Sequence, residues 1–258
     1  MSFHLSNIFK KITCLPSGDI PKGYKTLTGF ILDALFPPQC IPCGKKLPHS
    51  ARFSTICEEC FARIPIRSGF SCAECARRLP ALVNTCHKGT PAIAAATDFK
   101  NKEAQALIHA LKYNSIRDAA PPLAEILNRY IAQYLPAGTH PALAIVPIPL
   151  HPKRMRSRGF NQSELLAVEL AKLDTRIALH TTALTRTRAT ASQTAVPTHD
   201  KRRENVKDAF TAYNSNEIEG QLFILDDVCT SGGTITEAMR ALRAKGMRKS
   251  AGLVVARA

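Results

Sequence analysis

The chain has 258 residues, 45% of them hydrophobic, with 35 Lys and Arg against 20 Asp and Glu for a formal charge of +15. That length and apolar content can bury a sizeable core, in one large domain or two unequal ones, and the cationic excess favours polyanionic partners such as nucleotides, nucleic acid or anionic lipid. No uninterrupted apolar segment approaches the ~20 residues that cross a bilayer, which excludes a membrane-inserted helix.

In chain order, residues 1–26 carry scattered Pro, Gly and Lys with no sustained period and read as a loosely held extension. The start MSFHLSNIFKKITC lacks the long apolar stretch of a secretory signal, so a cytoplasmic location is expected. LTGFILDALFPP, Leu27 to Pro38, has apolar residues at near-helical spacing and stops at two prolines. A Cys-rich stretch follows to about Gly89, so 27–90 is expected to be a zinc-binding module with a leading helix, ribbon-like in its spacing. From there to 258 the pattern is that of an α/β domain. Helices are expected near 103–113, 121–135, 161–173 and 199–209, with strands at AIVPIP, LFIL and GLVVA and a helix at TITEAMRALRAK. Strands alternating with helices predict a three-layer domain on a mostly parallel sheet.

Seven of the nine cysteines lie between Cys40 and Cys86, mostly as CxxC pairs. Cys40-x2-Cys43 followed by Cys57-x2-Cys60 puts four thiolates on two short knuckles, the donor set of a tetrahedral Zn²⁺. Cys72-x2-Cys75 and then Cys86-His87 form a possible second site, with His87 as fourth ligand. Adjacent Cys and His rarely reach one ion together, so His87 is expected at the surface, with the other three cysteines borrowing a ligand elsewhere or having lost their metal. Cys14 and Cys229 have no partner in sequence and read as small apolar residues.

FILDDVCTSGGT, Phe223 to Thr234, is the most informative run for the α/β domain. An apolar strand ends in two acids, small and hydroxyl residues follow, and a helix with Ile235, Ala238, Met239 and Leu242 on one face runs on toward Gly246. Such a turn lies at the carboxyl edge of an open sheet, where ligands bind and the first N–H groups of the helix are free for an anion. Gly232 and Gly233 permit close approach, and Thr230, Ser231 and Thr234 add hydroxyls, which describes a cup for a phosphate monoester. Asp226 and Asp227 would repel that phosphate unless they face a donor, and a vicinal diol is such a donor. A 5-phosphoribosyl group carries both pieces. Plain capping by Asp and Thr in a Rossmann-type layer is the competing reading. GxxxxGK[ST] is absent and no GxGxxG follows a strand, so neither an NTPase nor a dinucleotide enzyme is indicated.

The stretch resembles the phosphoribosyl pyrophosphate (PRPP) motif of type I phosphoribosyltransferases. That resemblance implies catalytic acids Asp226 and Asp227 on the ribose, and Thr230, Ser231, Gly232, Gly233 and Thr234 around the 5-phosphate. Purine-specific members often carry an acid at the position of Thr230, and this chain has none. VPIPLHPKRMRSRGFNQSELLA places Lys153, Arg154, Arg156 and Arg158 in a basic loop suited to pyrophosphate, while Asn161 and Glu164 also read as a helix N-cap and capping box. ALIHALKYN carries Lys112 at a helix end, and ASQTAVPTHDKRRENVKDAF carries Gln193, Arg202, Arg203 and Asn205 in a charged helix. In this order, with the CxxC pairs in front, these blocks closely resemble the ComF family of competence-protein-F and GntX-like proteins, from Leu35 to Val255. RGFNQ, with Gly159, Asn161 and Gln162, is the distinguishing element. Many relatives have a further CxxC where this chain has Cys86-His87-Lys88-Gly89.

The resemblance implies a zinc module before a phosphoribosyltransferase-type domain, in cytoplasmic bacterial proteins of DNA uptake or DNA utilisation. Three functions stay open. One is transfer of a phosphoribosyl group from PRPP to an acceptor, with Mg²⁺ bridging diol and pyrophosphate. Another is non-catalytic sensing of PRPP or a nucleotide. The third is the handling of single-stranded DNA together with other uptake proteins, through phosphate contacts more than stacking, since aromatics are 6% of residues and Trp is absent.

Overall fold

The computed structural model describes residues 37–258 except 49, 83–85, 88, 141, 191–203, 214–217 and 248–249. The expected extension at 1–26, most of the expected helix from Leu27, and Gln193, Arg202 and Arg203 lie outside the described residues.

Two tight knuckles open the described chain and repeat one another bond for bond. In the first, Gly44 N–H donates to the Cys40 carbonyl at 2.7 Å and Cys40 N–H to the Lys45 carbonyl at 2.8 Å. In the second, Ala76 N–H donates to Cys72 at 3.1 Å and Cys72 N–H to Arg77 at 2.8 Å. Each turn needs a left-handed residue after its second cysteine, and the two positions differ in how well they meet that need. Gly44 (φ +73°) adopts it freely, whereas Ala76 (φ +60°) carries a Cβ there. Helix α1 (Glu58–Ala62) follows Cys57, and strands β1 (Phe70–Cys72) and β2 (Arg78–Leu79) flank the second knuckle as an antiparallel pair.

The remaining strands are β3 (Ala92–Asp98), β4 (Leu143–Pro147), β5 (Ile177–Leu179), β6 (Leu184–Arg186), β7 (Phe210–Ala212), β8 (Gln221–Cys229) and β9 (Ser250–Arg257). Seven strands form one sheet in the order β2-β1-β3-β9-β8-β4-β5. Every pairing from β3 to β5 is parallel, and β1 joins β3 antiparallel, so the Cys-rich segment extends the main sheet. Strands β6 and β7 form a separate two-stranded sheet.

The period of two along each central strand sends alternate side chains to opposite faces. Ile145, Phe223, Leu225, Leu253 and Val255 enter one core with helices α2 (Lys102–Tyr113), α3 (Ala120–Tyr134) and α5 (Gln162–Ala171). Ala144, Val146, Leu222, Ile224 and Val254 enter the other, with α6 (Gly233–Arg243) and the β6–β7 pair. Both faces are therefore covered, which parallel sheets require. The first Cys-rich cluster docks on the α3 side, where Arg129 lies 4.5 Å over the Phe61 ring of α1, and Tyr130 of α3 donates its hydroxyl at 2.7 Å to the carbonyl of Gly69, just ahead of β1.

Three local expectations change. The acids expected at a turn lie inside β8, which runs on to Cys229 because its end is flanked by β9 and its register continues through Asp226↔Val254 and Cys229↔Arg257. The expected basic loop is a helix, α4 (Pro152–Arg158), started by Pro152 behind the His151 cap and ended by Gly159 at φ +80°. Of the helix expected near 199–209, the described residues show helical backbone at 204–206.

Candidate functional site

The chain leaves β4 toward β5 and leaves β8 toward β9, in opposite directions along the sheet. Such a switch point opens a crevice at the carboxyl ends of the two strands. A cleft of about 680 Å³ lies there, walled by the end of β8, the 230–234 loop, α4, the start of α5 and one edge of α2.

At its floor the two acids are held differently. Asp226 accepts from Ser163 Oγ at 3.0 Å and from the Asp227 N–H at 2.9 Å, both through Oδ1. Asp227, 5% exposed, accepts through Oδ1 from Lys112 Nζ at 3.0 Å and from the Val228 N–H at 2.7 Å. No hydrogen bond from the described residues uses either Oδ2. Burial, and then the charge of Asp227, push the Asp226 carboxyl up to about 6. Burial alone would lower the Lys112 ammonium, but Asp227 and Asp226 together outweigh it and raise it. The cluster can thus offer acceptor oxygens to a donor ligand beside one fixed cation.

Opposite stand Arg154 and Arg158, one turn apart on α4, with Gln162 and Arg186 behind them. Arg154 donates to the Thr190 carbonyl at 2.9 Å, and Arg186 donates to the Thr190 hydroxyl and lies 5.2 Å over the Phe210 ring. Burial and then Arg154 lower the Arg186 guanidinium to about 10. Gln162 is 2% and Arg186 8% exposed, yet among the described residues Gln162 Nε2 and Arg186 Nε have no hydrogen-bond partner. Two orphaned donors on one wall suit an anionic or acceptor-rich ligand, because a buried donor left unpaired costs about 1–3 kcal/mol.

Thr230, Ser231, Gly232, Gly233 and Thr234 line the third side and run into the first turn of α6. Gly232 caps that helix at φ +69°, and a Cβ there would lie 2.7 Å from Ala73 Cβ and 2.8 Å from the Ala73 carbonyl oxygen. Its glycine is therefore demanded by the second Cys-rich knuckle, beyond any approach of a ligand.

The other motif residues divide. Lys112 and Gln162 reach the cleft. Gly159 ends α4, its N–H donating to Met155 at 2.8 Å. Asn161 is the α5 cap, accepting from the Ser163 N–H and donating to the Ile148 carbonyl at 3.0 Å. Arg156 is exposed and does not line the cleft, and Asn205 offers its carbonyl to Arg188 at 3.0 Å away from it. Ser163 and Arg186 were not singled out from sequence. Ser163 stands within the quoted RGFNQS run, but a hydroxyl in a first helical turn reads as capping, and nothing local marks Arg186.

Both Cys-rich clusters close. The Sγ atoms of Cys40, Cys43, Cys57 and Cys60 lie within 4.8 Å of one another, as do one ligand atom each from Cys72, Cys75, Cys86 and His87. Cys43 and Cys57 sulfurs are 3.9 Å apart, Cys75 and Cys86 3.3 Å, and Cys72 Sγ lies 3.5 Å from His87 Nδ1. Tetrahedral zinc with bonds of about 2.3 Å sets ligand atoms about 3.8 Å apart, so both sets fit. The Lys45 N–H lowers Cys43 to about 7, easing its use as thiolate. His87 is exposed, as expected, and its ring nitrogen turns back to Cys72 while Cys86 reaches Cys75, which favours the reading of His87 as fourth ligand. Cys229 is buried in the α6-side core, as expected of a small apolar residue, and its sulfur lies 3.9 Å from Arg257 Nη1.

Among the described residues no helix is long and apolar enough to cross a membrane. Residues 31–90 match the family described as Double zinc ribbon domain, which supports structural zinc in this segment. The chain is 35% identical over 149 residues to DNA utilization protein YhgH of Escherichia coli K12, covering 54% of this chain and 61% of that relative. It is 36% identical over 109 residues to Competence protein F of Haemophilus influenzae, covering 41% of this chain and 46% of that protein. YhgH of Salmonella typhimurium matches at 34% over 142 residues, 61% of its length. The chain thus spans about half to three fifths of the curated relatives it matches.

Proposed function

We infer that this chain, which belongs to the ComF family, binds a 5-phosphorylated ribose, as PRPP or a phosphoribosyl nucleotide, in the cleft at the ends of β4 and β8. The observation that carries the reading is the acid pair Asp226–Asp227, braced by Ser163 and Lys112, directly before the 230–234 loop. The acids accept from the ribose hydroxyls, the loop and the first α6 amides take the 5-phosphate, and Arg154, Arg158, Arg186 and Gln162 take the diphosphate. The parallel order β3-β9-β8-β4-β5 with this motif at the end of β8 supports a type I phosphoribosyltransferase-like domain. Asp226 and Asp227 are the residues that would hold Mg²⁺, and it would supply charge neutralisation of the leaving diphosphate. Transfer then joins ribose C1 to an acceptor as pyrophosphate departs, and a sensing role stops at binding. Titration calorimetry with PRPP and Mg²⁺ tests the reading. Binding that disappears in Asp226→Asn/Asp227→Asn supports it, and no binding by the unaltered protein ends it. Pyrophosphate release that requires an added base separates transfer from sensing.

A second reading has its own observation. Lys153, Arg154, Arg156 and Arg158 share one short helix, and none enters an ion pair among the described residues. With a formal charge of +15, and with relatives named for DNA utilization and competence, this helix is a candidate contact for single-stranded DNA in a cytoplasmic uptake or utilisation role. Lys153 and Arg156 are exposed outside the cleft, so neutralising them separates the roles. DNA binding should lose about one unit of salt slope per lost phosphate contact while PRPP binding stays unchanged. An unchanged slope removes this helix from any DNA site.

A further inference from the structure

The two Cys-rich clusters stand in different relations to the cleft. The first is tied to the start of α3 and its approach: Thr55 Oγ1 donates to the Asp118 carbonyl at 3.1 Å, and Arg52 pairs with Glu125 at 2.8 Å. The second is tied to the phosphate loop. Ala73, between the metal-ligating Cys72 and Cys75, lies so close under Gly232 that no side chain fits between them. The Ala73 carbonyl accepts from Arg257 Nη2 at 3.0 Å. Arg257 Nη1 approaches at 3.9 Å the sulfur of Cys229, the last residue of β8 before that loop.

Arg257 is 6% exposed, enters no ion pair among the described residues and leaves Nε without a hydrogen-bond partner. A buried guanidinium without a carboxylate is costly, so its position is not explained by charge pairing. Its two contacts join the second knuckle to the loop. The other half of the cluster is tied in as well. Arg243 of α6 donates to the Gly89 carbonyl at 3.2 Å, next to the Cys86–His87 segment, and Thr90 Oγ1 donates to Glu74 of the knuckle at 3.0 Å.

We propose that zinc at Cys72, Cys75, Cys86 and His87 holds the phosphate loop in its binding shape, with Ala73, Cys229 and Arg257 as positioning residues, so that metal at this second cluster sets the affinity of the cleft for a phosphate monoester. Ala73 and Arg257 do not line the cleft, and Cys229 does so at the end of β8. The ligand's identity rests on the phosphoribosyl reading, but the mechanical link between cluster and loop does not. The first cluster, docked on α3, has no such link among the described contacts.

Three variants test this: Cys75→Ser, Arg257→Gln and, as control, Cys43→Ser. Zinc content, calorimetric affinity for ribose 5-phosphate, and hydrogen exchange of the 229–235 amides are measured on each full chain. Cys75 is exposed, so its replacement leaves no buried void. Cys75→Ser should lose one zinc, bind ribose 5-phosphate about tenfold more weakly and exchange the loop amides faster. Arg257→Gln should do the last two with zinc content unchanged, and Cys43→Ser should lose one zinc with neither effect. Cys75→Ser with one zinc fewer and loop exchange as in the unaltered protein overturns the proposal, as does an unaltered protein carrying zinc at the first cluster alone. If Cys75→Ser does not fold, Arg257→Gln decides: faster loop exchange at full zinc content supports the link, unchanged exchange sinks it. Should the unaltered protein show no affinity for ribose 5-phosphate, the phosphoribosyl reading fails, and the exchange rates still decide the link.

Discussion

Lys112 and Asp227, 115 residues apart in sequence, meet at 3.0 Å on the floor of the cleft, with the Asp227 side chain 7% exposed. Removing one member of a buried pair strands the other's charge, which costs more than removing both. Lys112→Met should therefore lower unfolding stability by about 2–4 kcal/mol, and adding Asp227→Asn should restore part of the loss. Urea denaturation of both single variants and the double variant checks this. A Lys112→Met protein within ~0.5 kcal/mol of the original would mean the pair is as weak as a surface salt bridge.

Asp226 gives a pH dependence with a definite sign. Its carboxyl is raised to about 6, so the folded protein holds that proton more tightly than the unfolded chain does. Stability from this group is present at low pH and falls as pH rises from the unfolded value, about 4, through 6. Asp226→Asn removes the loss while retaining an acceptor for Ser163. The variant should match the original at pH 4 and exceed it by on the order of 1–3 kcal/mol above pH 7. A stability difference that does not grow between those pH values contradicts the assignment. The same variant should lose Mg²⁺-dependent PRPP binding, the usual opposition of stability and function at a site.

His87 makes a direct prediction for metal content. The chain should purify with two zinc ions, and His87→Ala should release one of them in chelator competition while the Cys40 cluster keeps its own. Two ions retained with equal tenacity in His87→Ala would show that the second cluster closes on another ligand.

The repeated knuckles supply an internal comparison. Ala76 occupies the left-handed position that Gly44 fills in the first turn. Ala76→Gly should relieve about 1 kcal/mol of backbone strain and tighten zinc at the second cluster about fivefold, whereas Gly44→Ala should weaken the first by a similar factor. Competition with a zinc-binding dye measures both. No change at Ala76→Gly would mean that the neighbouring chain, and not the turn, absorbs the strain.

The sequence made the ends of the main parallel strands readable where composition and position agreed. LFIL and GLVVA are branched and apolar, as buried strands are, and the acids after LFIL mark the cleft. AIAAATD carries four alanines, poor strand formers, and β3 is imposed by its pairing with β9 and β1. PKRMRSR buries no residue, so α4 has no apolar period to reveal it, only a proline at its start and a glycine at its end. Lys112 was visible as a motif residue, but its partner was not, because the contact is made by packing α2 against the sheet. Ser163 and Arg186 were hidden for the same reason. Whether His87 reaches the second cluster was not legible from spacing, because it depends on the directions in which the Cys86 and His87 side chains leave the turn, toward Cys75 and Cys72.

The pairing of β3 has a consequence in time. One edge of β3 is met early by β1, a neighbour in sequence, but its other edge waits for β9, made after every other strand. During synthesis on the ribosome, a buried-type strand with a bare edge must persist while more than half of the chain emerges. Long-range parallel closure is slow, and bare edges recruit foreign strands. The ribbon covers Ala92–Ala94 of one edge through β1, so metal that shapes the second knuckle during translation bears on how much of β3 stands bare before β9 arrives.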